Sequence, residues 1–295
     1  MIELYGKKLE NFDDLPVLSE TIIKLLALLD DINSTNKQIA RIISLDVVLS
    51  AKIISLANSP LYASNKPVND VLQAIMKLGR AEIKNMAMTI KFSSALKKIQ
   101  LKNINLDMFW KHSLATAFLS NKLMKEYLDK KYYRAEQQSS FYIAGLLHDI
   151  GLLIFDILDP DKLEELEKIA ERIKNNIAEV ELNETKYIHS KEGEKLLKEM
   201  GLPESISYPV GYHHNSVDSK DYEGISAIVN ISDVFASQFG YYPLQSVVYN
   251  HNIDEPIKLT SLSDLSDEDF KIAYDELKSA TEMFISFAGL MLGSQ

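Results

Sequence analysis

The sequence contains no cysteine, which excludes disulfide bonds and thiolate metal ligands. Any metal site must therefore use His, Asp or Glu. A chain without cysteine suits a reducing compartment. The first residues also lack the basic region and apolar core that indicate a secretory signal. We therefore expect a cytoplasmic protein.

Long apolar runs are also scarce. A membrane-spanning helix needs about 20 consecutive apolar residues. The best candidates, residues 143–158 and 283–292, are interrupted by charge or too short. The sequence therefore predicts no membrane span.

The chain has no excess of positive charge. Its formal net charge of −10 argues against general nucleic-acid binding, because phosphate contacts need a basic surface. Residues 1–105 contain 14 Lys/Arg and 10 Asp/Glu, a net +4, whereas residues 106–295 contain 18 and 32, a net −14. This asymmetry is a first indication of two units.

Helical periodicity covers most of the chain, and no alternating pattern indicates a strand, so we predict an all-α fold. The polar stretch KKIQLKNINLD suggests a boundary between an N-terminal helical subdomain, residues 1–105, and a second helical domain, residues 106–295. Thr35 and Gln38 form a predicted capping box, and Asp107 is predicted to cap a long helix.

Only six histidines occur, and most lie on the apolar side of a predicted helix. Side chains three or four residues apart share a helix face. His112, for example, aligns with Met108 and Ala115 and should point inward. His251 lies in a polar loop and is not a candidate. The inward-facing candidates are His112, His189, His213, His214 and Asp233.

His148 and Asp149 stand side by side in the apolar stretch AGLLHDIGLLIF. A carboxylate in such surroundings is costly unless it is paired, hydrogen-bonded or bound to a metal. Neighbours on a helix are separated by about 100°, so both can reach one atom only at a helix end. Gly151 is predicted to mark that end, because glycine is common where helices stop.

These inward imidazoles and carboxylates have two interpretations. Taken singly, each suits a core residue that is hydrogen-bonded to a carbonyl or a partner, with no metal. Taken together, with few inward cations, they indicate one or two divalent ions. Nitrogen and oxygen ligands suit zinc, manganese, iron or nickel, and the pattern does not distinguish these metals. Asp149 could bridge two ions about 3.5–4 Å apart.

The ordered set of histidines and aspartates resembles the motif of the HD superfamily of metal-dependent phosphohydrolases. In the N-terminal half, LPVLSETIIKLLALLDD, IISLDVVLSAKIISLANSPLYA and VNDVLQAIMKLGRAEIKNM resemble the HDOD family, the HD-related output domain of bacterial signalling proteins. FWKHS, AGLLHDIG, EMGLPESI and YHH continue this resemblance, which spans about residues 10–290. It implies an N-terminal helical bundle packed on an HD-type helical domain.

The resemblance also implies roles for the candidate residues. A first metal site would use His112, His148, Asp149 and Asp233, and a second would be completed by His189, His213 and His214. The related cyclic-di-GMP phosphodiesterases carry a Lys just after HDIG and a Gly-Tyr-Pro motif after the His pair. This chain has Leu152 at the first position, and HHNSVDSKDYEG lacks the second. That phosphodiesterase activity is therefore not expected.

We expect a bacterial signal-transduction output protein in which the metal mainly holds helices together. The alternative is a metal-dependent phosphohydrolase acting on a nucleotide or another phosphate ester, with Asp149 as a bridging catalytic residue. The apolar tail MFISFAGLML could support self-association. A row of cations at helical spacing could bind a signalling partner or an acidic or phosphorylated ligand, although it equally suits a solvated helix face: Lys77, Arg80, Lys84 and Lys91.

Overall fold

The structure is a computed structural model that describes residues 3–4, 6–8, 20–59, 62, 67–244 and 253–292. Helices dominate these residues. Within the described part, the only strands are the antiparallel pair β1 (Glu3–Leu4) and β2 (Lys7–Lys8). The all-α prediction is therefore confirmed. His251 lies outside the described residues.

The chain divides into two compact units. One comprises Met1–Leu15 and Ile99–Ile285, and the other comprises Pro16–Lys98 and Ser286–Gln295. The assignment of residues 1–105 as an N-terminal helical subdomain and of residues 106–295 as an HD-type metal-binding helical domain stays a prediction.

The smaller unit contains short helices whose starts follow from the sequence. Thr35 accepts a hydrogen bond from the backbone N–H of Gln38, and the Gln38 side chain accepts one from the backbone N–H of Thr35, as the capping box predicts. Gly79, with φ of 82°, allows the chain to turn directly from one helix into the next. These helices are α1 (Glu20–Asp30), α2 (Asn36–Ser44), α3 (Val47–Ala57), α4 (Val71–Leu78) and α5 (Arg80–Leu96).

The larger unit contains most of the long helices. Among the residues that the structure describes in this unit, four 3-10 turns connect some of them: Lys130–Tyr132, Ala135–Gln137, Ser216–Tyr222 and Ser261–Asp264. The helices are α6 (Leu106–Glu126), α7 (Gln138–Leu147), α8 (Ile150–Leu158), α9 (Pro160–Ile173), α10 (Ile177–Glu184), α11 (His189–Glu199), α12 (Glu204–Tyr212), α13 (Glu223–Gln238), α14 (Asp254–Ile257) and α15 (Asp267–Leu292).

Helix α6 begins earlier than the sequence predicted. Asn105, not Asp107, is its N-cap, because the Asn105 side chain accepts hydrogen bonds from the backbone N–H groups of Asp107 and Met108. Asp107 instead lies in the first turn, where its negative charge suits the helix dipole. The predicted cap at Asp107 is therefore wrong by two residues.

Gly151 lies inside α8 and does not end a helix, so that prediction is also wrong. A Cβ atom at Gly151 would lie 1.8 Å from the backbone oxygen of His189. The glycine is therefore required because α8 packs directly against the start of α11. This close approach brings the loop before α8 next to His189.

The stretch Ala135–Leu158, which contains α7 and α8, is long and apolar enough to span a membrane by length and composition alone. The protein itself buries 89% of the most apolar part of this stretch. Because protein covers this stretch, we interpret it as part of the helical core.

Candidate metal centre

The candidate ligands come from separate elements of the larger unit. His112 lies in α6, His189 is the first residue of α11, and Asp233 lies in α13. His148 and Asp149 occupy the turn between α7 and α8, where adjacent residues can point to one place. The pair that directly follows α12 is His213 and His214.

These side chains form two groups of donor atoms, each with members within 4.8 Å of one another. The first group contains His112, His148 and Asp233. The Nε2 atom of His112 lies 3.0 Å from Nε2 of His148 and 3.2 Å from Oδ1 of Asp233. All three residues are at most 2% exposed.

The second group contains Asp149, His189, His213 and His214. The Nε2 atom of His189 lies 2.9 Å from Nε2 of His214 and 3.3 Å from Oδ1 of Asp149. His213 is fully buried, whereas His214 is partly exposed. This group therefore has one member that reaches towards solvent.

Asp149 contacts both groups through different oxygens. Its Oδ2 lies 3.4 Å from Nε2 of His112 and 3.3 Å from Nε2 of His148. Its Oδ1 lies 3.3 Å from Nε2 of His189 and 3.7 Å from Nε2 of His213. A carboxylate placed in this way can share one oxygen with each of two cations.

Hydrogen bonds on the outer side of the rings determine which nitrogen faces the centre. The Nδ1 atoms of His112, His148 and His213 lie 2.9, 2.9 and 2.6 Å from backbone carbonyl oxygens. A carbonyl only accepts, so each Nδ1 carries a hydrogen. Each Nε2 then presents a lone pair to the centre, which is the orientation of a metal-binding histidine.

The donor arrangement fits a divalent ion. His112 and His148 direct two lone pairs at each other across 3.0 Å, which is repulsive unless a proton or metal cation lies between them. Two donors bound to one ion at about 2.1 Å lie about 3.0–3.4 Å apart in octahedral or tetrahedral geometry. Within the described residues, Nε2 of His213 is buried and has no hydrogen-bond partner.

The electrostatics of the centre are strongly coupled. Burial lowers the pKa of His148, but the Asp149 and Asp233 carboxylates outweigh it and raise that pKa to about 10. Burial and the neighbouring His148 lower the pKa of His213 to about 3. The pKa of Asp149 falls well below its usual value, because the surrounding histidines outweigh its burial. The carboxylates of the centre therefore need positive charge beside them, which protons on the histidines or a bound metal ion can supply.

Two residues that the sequence did not single out support this centre. Glu181 in α10 accepts a hydrogen bond from Nδ1 of His189 at 2.7 Å. Asn230 in α13 donates from Nδ2 to the backbone oxygen of His213 at 2.6 Å. Glu181 follows Ile177 by four residues, so the two share the buried face of α10. An acid on that apolar face was the only signal in the sequence that could have indicated a role for Glu181.

Comparison with known proteins identifies the family. The family model of the HDOD domain matches residues 15–216, which is more than half of the chain. The chain belongs to the HDOD family. The matched range includes six of the seven candidate ligands of this HDOD protein and leaves out Asp233.

One curated relative matches part of the chain by sequence. An uncharacterized protein of Treponema pallidum (strain Nichols) is 24% identical over 208 residues, which is 70% of this chain but 39% of that protein. The HDOD chain therefore spans about two fifths of that curated relative.

Solved structures with low identity share the same architecture. An HDOD domain protein of unknown function from Geobacter sulfurreducens is 22% identical, with a TM-score of 0.73 over 94% of this chain and 93% of that one. A protein from Marinobacter aquaeolei VT8, named provisionally for signal transduction, is 18% identical, with a TM-score of 0.70 over 97% and 62%. At these identities the likeness shows the fold alone.

The four cations of the predicted basic row form hydrogen bonds or ion pairs with residues of their own unit. Lys84 is 2% exposed and donates to both carboxylate oxygens of Asp30, at 2.7 and 2.8 Å. Lys91 forms an ion pair with Asp46. Two of the four cations are therefore paired with acids of the same unit.

The other two cations of the row bind backbone and hydroxyl oxygens. Lys77 donates to the backbone oxygen of Ala57 at 2.6 Å, and Arg80 donates to Oγ of Ser34 at 3.0 Å. Partner binding by this row stays a prediction. It does not enter the proposed function, because these contacts give all four residues a role inside the unit.

Proposed function

We propose that this HDOD chain is a bacterial signal-transduction protein whose larger helical unit is stabilised by one or two divalent metal ions. The observation that carries the proposal is the placement of Asp149, with one oxygen facing each of two groups of histidines. The burial of most donors supports a stabilising role, because little of the centre is open to a substrate. The family assignment and the provisional name of the Marinobacter relative support a regulatory role.

Each group has a clear set of candidate ligands. His112, His148, Asp233 and one oxygen of Asp149 would hold one ion, and His189, His213, His214 and the other oxygen would hold a second. Each ion would join three elements of the unit, and the two ions together would join five: α6, the turn between α7 and α8, α11, the end of α12 and α13. Their binding energy would add to the folding energy. The metal identity and the cytoplasmic location stay predictions.

The proposal is tested by the metal content of matched variants. Protein purified without chelator or a nickel column should contain stoichiometric divalent metal by elemental analysis. Asp149→Asn should lose most of it, because both groups lose their shared carboxylate. Asp156→Asn is the control: Asp156 is also buried in this region, but its carboxylate accepts hydrogen bonds from Asn103 and Ile104.

The control separates metal loss from general damage to the fold. Asp156→Asn should be less stable than the parent yet keep its metal. A parent that carries no metal, even after incubation with zinc and with manganese, would contradict the proposal. Equal metal in Asp149→Asn and the parent would contradict the assigned ligands.

A second candidate function is hydrolysis of a phosphate ester. The partial exposure of His214 favours it, because the second group of donors then has an edge that a small substrate can approach. A bound ion would lower the pKa of a coordinated water and supply a nucleophile. Metal-loaded protein that shows no turnover of nucleotides, cyclic nucleotides or simple phosphate esters would exclude this candidate and leave the regulatory proposal standing.

A further inference from the structure

Glu181 makes an unusual contact with the centre. Its side chain is fully buried. Its Oε2 accepts two hydrogen bonds from one residue: from the backbone N–H of His189 at 2.8 Å and from Nδ1 at 2.7 Å. Within the described residues, its Oε1 has no hydrogen-bond partner. The carboxylate is therefore committed to His189.

His189 differs in this respect from the other histidines of the centre. The Nδ1 atoms of His112, His148 and His213 face neutral backbone carbonyls. A carboxylate partner makes the imidazole a stronger electron donor and fixes its orientation more firmly. His189 should therefore be the most strongly donating imidazole among these four.

The two groups of donors also differ in their own negative charge. The first group has a carboxylate of its own, Asp233, and Asp149 also contacts its histidines. Among the described residues, the second group contains Asp149 and three histidines, with no carboxylate of its own. Glu181 is positioned to supply the missing charge through the His189 ring.

We propose that Glu181 is the positioning residue of the second group and sets its affinity for a divalent cation. Each group then has one carboxylate of its own, Asp233 by direct contact and Glu181 through His189, and both share Asp149. Glu181 also satisfies the first N–H of α11, where a negative charge is favourable. Capping the helix and orienting the ring are therefore done by the same oxygen.

This double contact makes a clean test feasible. In Glu181→Gln, the amide oxygen can still accept both hydrogen bonds, and the backbone N–H of His189 holds that oxygen in place. The ring orientation is kept and only the charge is lost. Glu179→Gln is the matched control, because Glu179 lies on the same short helix and is exposed.

The inference rests on the proposed two-group centre. A zinc titration distinguishes a wrong role for Glu181 from a wrong two-group centre. By calorimetry and elemental analysis, the parent and Glu179→Gln should bind two zinc ions per chain. In Glu181→Gln, the dissociation constant of one zinc ion should rise about 10–100-fold, and that of the other should not change. Unchanged binding of both ions would overturn the role of Glu181. A parent that binds fewer than two ions would overturn the two-group centre instead.

A measurement on the parent alone covers the case in which the variant does not fold. In zinc-loaded protein with labelled histidine, NMR should show the Nδ1 proton of His189 further downfield than that of His112 or His148. The reason is that a carboxylate forms a stronger hydrogen bond than a carbonyl. A His189 proton in the same range as the others would overturn the inference.

Discussion

At the scale of single residues, the centre depends on which histidine nitrogens carry hydrogen. Three rings have backbone carbonyls on their outer side, and His189 has Glu181. All four therefore turn a lone pair inward. Without metal, the negative charge of Asp149 and its neighbours must attract protons instead. Metal and protons consequently compete for the same nitrogen atoms.

This competition predicts proton release when metal binds. Burial lowers the pKa values of His148 and His189, but nearby carboxylates outweigh it and raise both to about 10. At pH 7.5 the metal-free protein should therefore carry a proton on each ring. Zinc binding should release about two protons, because a metal ligand must be deprotonated. Calorimetry in two buffers with different ionisation enthalpies measures this number.

The same pKa values predict how pH affects the metal-free fold. The folded-state pKa values of His148 and His189 lie above the unfolded value of about 6.5, so protonation of these two rings stabilises the metal-free fold. This contribution to the free energy of unfolding is fully present below about pH 6.5. It should be lost as the pH rises towards 10.

In the calorimetry, a binding enthalpy of zinc that is identical in the two buffers would contradict the assigned protonation states.

At the scale of elements, α8 connects two parts of the larger unit. Its N-terminal end packs against α11 at Gly151. Near its C-terminal end, the buried Asp156 accepts hydrogen bonds from the backbone N–H groups of Asn103 at 2.9 Å and Ile104 at 3.0 Å. These residues directly precede α6, so Asp156 fixes the start of the helix that carries His112.

This contact predicts a stability loss that is independent of metal. Asp156→Asn should lower the free energy of unfolding by about 1.5–3 kcal/mol, because an amide satisfies the two N–H donors less well than a carboxylate. Urea unfolding with zinc and with chelator should give the same loss. Asp161→Asn is the control: its side chain is 85% exposed, so solvent screens its ion pair with Lys102 and the variant should be about as stable as the parent. A loss seen only with zinc would contradict this assignment.

The sequence predicted the helical elements and the inward direction of the histidines, because both follow from local periodicity. It misplaced the start of α6, because Asn105 and Asp107 are both good N-caps and only their backbone geometry distinguishes them. The prediction for Gly151 was wrong because glycine occurs both at helix ends and where two helices pack closely. Both errors depend on contacts that a single helix pattern does not contain.

Residues that act across elements were the hardest to predict. Glu181 precedes His189 by eight residues and lies on a different helix, so no periodicity links them. The spacing of the basic row indicated a shared face but not what lies beneath it. For Lys84, the structure places Asp30 there. Charge partners of this kind follow from the packing of helices and not from their patterns.

At the scale of the whole molecule, both groups of donors lie in the unit that contains Ile99–Ile285. Metal should therefore stabilise this unit directly. An ion present at 100 times its dissociation constant adds about 2.7 kcal/mol to the free energy of unfolding. We expect chelation to speed hydrogen exchange in α6–α8 and α11–α13 and to leave α1–α4 unchanged. Mass spectrometry of exchanged peptides measures this difference.

The control for that experiment is Asp149→Asn, whose exchange should not respond to chelator. Faster exchange spread evenly over α1–α13 would contradict a local role of the metal. No change in any helix would contradict a stabilising role altogether.

The order of the ligands along the chain has a consequence for biosynthesis. Translation delivers α6 first and α13 last among the ligand-bearing helices. A nascent chain that exposes His112 and His148 still lacks Asp233, and His189 has not yet emerged. The proposed second group is therefore complete once His214 has emerged, whereas the first group must wait for Asp233 in α13. On the proposed ligand assignment, the second ion can bind before synthesis of the larger unit is finished, and the first ion can be fully coordinated only afterwards.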